Sequence, residues 1–384
     1  MKKASCIEKN LDTLTNRIKK VPENFLKFVD TEKLKSKDYI VTWLGREDSL
    51  SKNSLNFYMF KKFQENENGD NRYDYFELNE NLNKMYSLEQ QLESYEVGVA
   101  GIKSFNKNSW IDIARESNGI EGIFEDFDVD LADFRKSLRL RFDIKDKVDY
   151  DNFDQYDYFQ QLFSSIEKVK KDENLLVVKG KTKEHKISIE LARHYIAFKY
   201  AFECANFYKW HQDKFNAQAF KEIIKNVSSL LSGSKDVPYR NIQVYVNLGE
   251  YNKARWIPEK PEKILDRIDN LANWVVKENR LNPLEKAAVT QAEFIRIHPY
   301  MDGNGRVSRV LTNFVLMYNG LSTVSVRYKD TRERYFDCLN KAIEEHDCTD
   351  LVNLFYNAEM ESSNNVSKCY RYLLDRQTKN ETTK

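Results

Sequence analysis

Five groups able to handle a phosphorylated ligand fall within twelve consecutive residues, His298-Pro299-Tyr300-Met301-Asp302-Gly303-Asn304-Gly305-Arg306-Val307-Ser308-Arg309. An imidazole is the usual general base near neutral pH, and His298 is the one within reach. Asp302 is a hard oxygen ligand, suited to a magnesium ion riding on phosphates. Gly303, Asn304 and Gly305 give a tight loop feeding a helix, which aims free N–H groups and the positive end of a dipole at one spot. Arg306 and Arg309 are three apart on the first helical turn, so both can fork onto the oxygens of one anion. Taken singly, a His before Pro is usually structural and a Gly-Asn-Gly run is usually a turn. Their coincidence in one short segment is what points to chemistry.

The flanking pattern supplies the elements that must hold this loop. Asn282-Pro283-Leu284-Glu285 reads as an N-cap, a first-turn proline and a capping-box partner. The helix it opens must stop at His298 or just before, because Pro299 disfavours helical geometry in the residue preceding it. A second apolar helix, VSRVLTNFVLMY, starts directly after the loop and ends at Asn319-Gly320. Upstream, Pro261 opens a helix whose buried face is expected to be Ile264, Leu265, Ile268, Leu271, Ala272 and Val275. YRNIQVYVNLG, a Gly-containing turn and RWIP read as a β-hairpin at about 239–256. From Ile187 to Ser232 the pattern is helical. Runs between Tyr39 and Leu78 (YIVTW, LNFYMF, YDYFEL) suggest strands or irregular structure, residues 82–116 a helix, and 124–186 is dense in Asp, Lys, Phe and Tyr without clear period.

The twelve-residue segment resembles the motif of the Fic family, HPF-x-[D/E]-G-N-G-R-x-x-R, at every defined position except Tyr300, where Phe is usual. The resemblance extends over residues 187–345 and more thinly before them. It implies a mainly α fold, a Fic-type helical bundle with a β-hairpin flap, plus an N-terminal mixed or helical region. It implies a protein adenylyltransferase that uses ATP as co-substrate and Mg2+ held by Asp302. His298 would deprotonate a Ser, Thr or Tyr hydroxyl of a target protein, or of the chain itself. Gly303, Asn304, Gly305, Arg306 and Arg309 would bind the nucleotide, and the flap would pair with the target by strand addition. Gly305, where kinase-like relatives carry Lys, favours nucleotidyl transfer.

Residues 117–122, Ser-Asn-Gly-Ile-Glu-Gly, resemble the inhibitory motif [S/T]-x-x-x-E-[G/N] of autoinhibited relatives. Ser117 and Glu121 share a helix face. Glu121 would pair with Arg309 and deny that cation to the γ-phosphate, with Gly122 completing the motif. Gly119 should weaken this helix by roughly 1 kcal/mol relative to Ala. The expected organisation is an N-terminal region at 1–123 ending in the inhibitory helix and a charged insertion or connecting segment at 124–186. A catalytic core at 187–350 and a C-terminal helix and tail at 351–384 follow. Two other readings stay open. Glu121 could position water to remove AMP from a modified protein, or the chain could be a nucleotide-binding regulator with vestigial catalysis.

The chain-wide properties narrow the partners. Of the 384 residues, 61 are Lys or Arg and 60 Asp or Glu, so the net charge of +1 gives no electrostatic case for nucleic acid or an anionic membrane. No apolar run approaches the ~20 residues of a membrane span. Five scattered cysteines without C-x-x-C spacing fit a reduced, cytoplasmic protein. Dimerisation through the N-terminal half is left open. Gly180-Lys181-Thr182 lacks the preceding glycine of a phosphate loop and reads as a surface turn. His185, His194, His211 and His346 read as structural or exposed.

Overall fold

Two helices that are buried almost all round form the centre of the molecule. The computed structural model describes residues 39–44, 57–61, 75–122, 148–171, 182–247 and 255–382. Its elements are β1 (Tyr39–Trp43), β2 (Phe57–Lys61), α1 (Tyr75–Glu93), α2 (Glu96–Ile120), α3 (Gln155–Lys171), α4 (Thr182–Trp210), α5 (Ala217–Ser232), β3 (Val246–Asn247), β4 (Arg255–Trp256), α6 (Ile264–Lys277), α7 (Pro283–Ile297), α8 (Asn304–Tyr318), α9 (Tyr328–Glu344) and α10 (Thr349–Thr382). In α7 thirteen of fifteen residues are buried, and in α8 twelve of fifteen. A helix buried on every side needs neighbours on every side. α4, α5, α6, α9 and α10 supply them, and the fold is mainly α.

The local signals account for the helix ends. Asn282 accepts from the Glu285 N–H, and the Glu285 carboxylate accepts from the Asn282 N–H. Asn216 caps α5 through the Ala219 N–H, and Gly233 ends it at φ 68°. Both strand pairs among the described residues are two-stranded and antiparallel. β1 runs against β2 from Tyr39 opposite Lys61 to Trp43 opposite Phe57, and Val246 faces Trp256 in the second pair. The first hairpin docks on the helical core through buried polar contacts. Trp274 Nε1 donates to Thr42 Oγ1 at 3.0 Å, Thr42 Oγ1 donates to Glu278 Oε2 at 3.2 Å, and the Tyr58 hydroxyl donates to Glu293 Oε2 at 2.8 Å. α1 lies along α10, and one continuous apolar core runs from Leu44 and β2 to α10, with Ile40 of β1 packed against it.

Three expectations need correction. Leu265 is 66% exposed, and Trp274 takes its place on the buried face of α6. One residue along a helix turns the side chain by about 100°, which carries Leu265 off the stripe that Ile264, Ile268 and Val275 define. YDYFEL contributes no strand, because α1 begins within it at Tyr75. Among the described residues, the hairpin strand expected from Tyr239 is paired only at Val246–Asn247. Its earlier part is tied to irregular backbone instead: the Arg240 N–H donates to Pro299 O, and Gln243 donates to Pro258 O. The tip of this hairpin, residues 248–254, lies outside the described residues, as do residues 1–38, 123–147 and Gly180-Lys181.

Candidate active site

The loop between α7 and α8 starts with a strained residue. His298 caps α7 at φ 50° and ψ 58°, in the left-handed region that costs a non-glycine residue roughly 1–2 kcal/mol. This sharp reversal ends α7 and starts the loop. Asn304 then clamps the loop shut: its Oδ1 accepts the Tyr300 N–H at 3.0 Å and its Nδ2 donates to Tyr300 O at 2.7 Å. Both ends of the carboxamide are thus used to shape the loop. Tyr300 is buried against Tyr239 and Phe294, and its hydroxyl, the one addition over the usual Phe, meets Ser228. Gly303 sits at φ 82° and caps α8, leaving the first N–H groups of that helix directed outward.

The imidazole is held in its base form. Burial pushes the His298 pKa down to about 4. The Arg240 charge acts in the same direction, while a backbone hydrogen bond at Ile295 and the carboxylates of Glu121 and Asp302 oppose it. His298 is therefore neutral at physiological pH. Asp302 is 92% exposed, with Oδ1 accepting the Gly303 N–H at 2.6 Å and Oδ2 3.5 Å from Arg306 Nη2. Among the described residues no group of three or more His, Cys, Asp or Glu could hold a metal. One exposed carboxylate beside an anion site fits a magnesium ion whose other ligands come from phosphates and water.

Both arginines of the segment have carboxylate partners that short-range patterns do not reveal. Arg306 Nη1 pairs with Glu190 Oε2 of α4. Arg309 is buried and donates from Nε to Ser117 Oγ at 2.7 Å, and from Nη2 to Ser117 O at 2.8 Å and Glu121 Oε1 at 2.6 Å. Glu121 also stands over the first turn of α8. A Cβ built on Gly305 would lie 2.3 Å from Glu121 Oε1, so the absent side chain at 305 is what lets the carboxylate rest there. A carboxylate against a helix N-terminus occupies the place where an anionic ligand would bind.

α2 delivers Glu121 because its end is closely specified. Glu121 is the C-cap residue, and Gly122 follows at φ 75° with its N–H on Gly119 O at 2.9 Å. α9 holds the same turn from behind. Arg332 donates to Ile120 O at 2.9 Å, the Tyr328 N–H donates to Glu116 Oε2 at 2.9 Å, and the Tyr328 ring packs on Gly119. A Cβ at Gly119 would lie 2.4 Å from that ring. Gly119 is therefore a socket for Tyr328, which offsets its low helix propensity. Gly119→Ala is expected to destabilise the protein by about 1–3 kcal/mol through overpacking, against the sign of helix propensity. Denaturant unfolding checks this, and adding Tyr328→Ala should recover part of the loss.

Three histidines of the described residues are kept neutral mainly by burial. His194, whose Nδ1 lies 3.4 Å from Asn118 Oδ1, is lowered by burial and then by Arg309 and Arg306. His346 is lowered to about 4 by burial and Arg296. Their folded-state values lie below the usual 6.5, so on acidification the unfolded chain takes up protons first. Stability from this source is complete above pH 6.5 and is lost as pH falls toward 4. The melting temperature is expected to drop by roughly 5–10 °C across that window, measured by circular dichroism. His346→Gln should flatten the slope.

The segment from Asp213 to Leu316, which holds α5 to α7, this loop and most of α8, matches the model of the Fic/DOC family. The family match lies in residues 213–316. Protein adenylyltransferase Fic of Nematostella vectensis is 34% identical over 106 residues, 27% of this chain and 23% of that protein. Protein adenylyltransferase fic-1 of Caenorhabditis elegans is 32% identical over 105 residues, 27% of this chain and 19% of that protein. The match thus spans about a quarter or less of the relatives' length. A solved structure of Fic-1 from C. elegans, residues 134–508, aligns with a TM-score of 0.48 and 17% identity over 76% of this chain and 71% of that one. A Fic domain containing signaling protein from Bacteroides thetaiotaomicron aligns with a TM-score of 0.45 and 20% identity over 77% and 95%. The Fic domain match starts after Glu190 and after the Ser117–Gly122 segment, so those contacts with it are features of the larger fold.

Proposed function

We propose that the Fic domain transfers AMP from ATP to a hydroxyl of a target protein, or of the chain itself, and that Glu121 restrains it at rest. The observation that carries this reading is the loop: it joins a buried, neutral imidazole at His298, which feels the charges of Glu121 and Asp302, to a glycine-capped N-terminus of α8 that bears Arg306 and Arg309. His298 takes the proton of a Ser, Thr or Tyr hydroxyl. The freed oxygen bonds to the α-phosphorus, and the bond to the pyrophosphate oxygen breaks. N–H groups of the first turn of α8 stabilise the charge developing on the α-phosphate. Asn304 serves by keeping that turn in shape. Arg306 and Arg309 receive the β- and γ-phosphates once released from Glu190 and Glu121. Asp302 would hold magnesium, which would supply charge neutralisation on the phosphates.

The restraint has two parts. Glu121 engages Arg309, and its carboxylate covers the turn that must face the nucleotide. Ser117 secures the arginine in that state through both its hydroxyl and its carbonyl. Among the described residues no helix is long and apolar enough to cross a membrane. The test is to compare ATP labelled on the α- or the γ-phosphate in reactions of the Glu121→Gly protein. Label on protein from the α-position alone supports AMP transfer. Label from the γ-position alone would identify a kinase instead.

A further inference from the structure

We propose that Arg240 is a positioning residue that holds His298 in its left-handed conformation and locks the two feet of the β3–β4 hairpin to it; this rests on His298 being the base of the transfer reaction. Arg240 is 3% exposed, and its guanidinium is spent on main-chain carbonyls. Nε donates to His298 O at 2.7 Å, Nη2 to Ile297 O at 3.2 Å and to Glu259 O, and Nη1 to Ile242 O at 2.9 Å. Its own N–H donates to Pro299 O at 2.8 Å. The carbonyls on three successive residues, Ile297 to Pro299, are therefore fixed by one side chain and its backbone.

Two physical demands converge here. The last carbonyls of α7 have no partners within the helix, and a cation at a helix C-terminus is favourable. His298 sits at φ 50°, a conformation that persists only where the surroundings over-determine it. Ile242 and Glu259 flank the hairpin on either side, so the same planar fork that holds the base also fixes where the hairpin leaves and rejoins the core. A lysine offers three donors from one point and cannot span carbonyls on opposite sides of its position. Catalytic geometry is sensitive on this scale, because a misplacement of about 1 Å costs on the order of 10²-fold in rate.

The test uses the full chain carrying Glu121→Gly, with Arg240→Met or Arg240→Lys added. The expected result is a fall in kcat of about 10²-fold for Arg240→Met with KM for ATP unchanged, and partial recovery with Arg240→Lys. A rise in KM for ATP at unchanged kcat would overturn the proposal. A second measurement needs no activity: NMR of 13C-labelled histidine, with the His298 signal assigned by His298→Ala. The His298 Cα shift should leave its left-handed value in Arg240→Met while the His194 and His346 signals stay in place. An unmoved His298 signal, or equal movement of all three, overturns the positioning role. Should the Glu121→Gly parent transfer no AMP, the functional reading fails, and the NMR result still decides the role of Arg240.

Discussion

Glu121→Gly is expected to raise transfer of labelled AMP by about 10²- to 10³-fold over the wild-type chain at saturating ATP. That factor is the usual loss when one preorganised charge-stabilising donor is withheld from a transition state. In the resting fold Arg309 is such a donor, held at 2.6 Å by Glu121. The substitution frees the guanidinium and also clears the first turn of α8, where Glu121 Oε1 would crowd even a Cβ at position 305. Ser117 still binds Arg309 from the far side, so the arginine stays oriented instead of being left buried without any partner. Folding should survive for that reason. Transfer rates measured by scintillation counting check the increase. A rate equal to wild type under saturating ATP would remove Glu121 from the account.

His298→Ala in the Glu121→Gly background should lower transfer by about 10²- to 10⁴-fold, the usual contribution of a positioned general base. The loss should fall on kcat, because the imidazole acts on the hydroxyl proton and the nucleotide is bound by α8 and the arginines. The substitution also removes a side chain from a left-handed position without moving the Asn304 clamp on Tyr300, so ATP binding should persist. Isothermal titration calorimetry beside the rate measurement separates the two effects. Lost ATP affinity with an unchanged rate constant would assign His298 to binding.

Much of the site was legible because its signals are local. The capping box at Asn282 and the stop at Pro299 each act within a few residues, and α7 falls where that pattern puts it. α8 starts at Asn304, three residues before the expected Val307, so Asn304 and Gly305 belong to its first turn. Ser117 and Glu121 were legible as one helix face, and the structure brings both to Arg309. What could not be read depends on contacts across the chain. Nothing near Glu190 marks it as the partner of Arg306, and nothing near Gly119 reveals that Tyr328 needs its missing side chain. Arg240 sits in a stretch whose alternation suggested a strand, yet its bonds to Ile297 and His298 hold that stretch as irregular backbone. Leu265 fits an apolar list and still faces solvent, since a stripe of this width admits one face only.

The central claim is that the loop from His298 to Arg309 carries out AMP transfer and that Glu121 withholds it. Mass spectrometry of a cell lysate incubated with an equal mixture of light and isotopic ATP and the Glu121→Gly protein tests it most directly. The account predicts paired peptides that carry one AMP on a Ser, Thr or Tyr side chain. These pairs should be weak with the wild-type chain and absent with Glu121→Gly/His298→Ala. AMP-bearing pairs of equal intensity with all three proteins, or none with a Glu121→Gly protein that binds ATP, would contradict it.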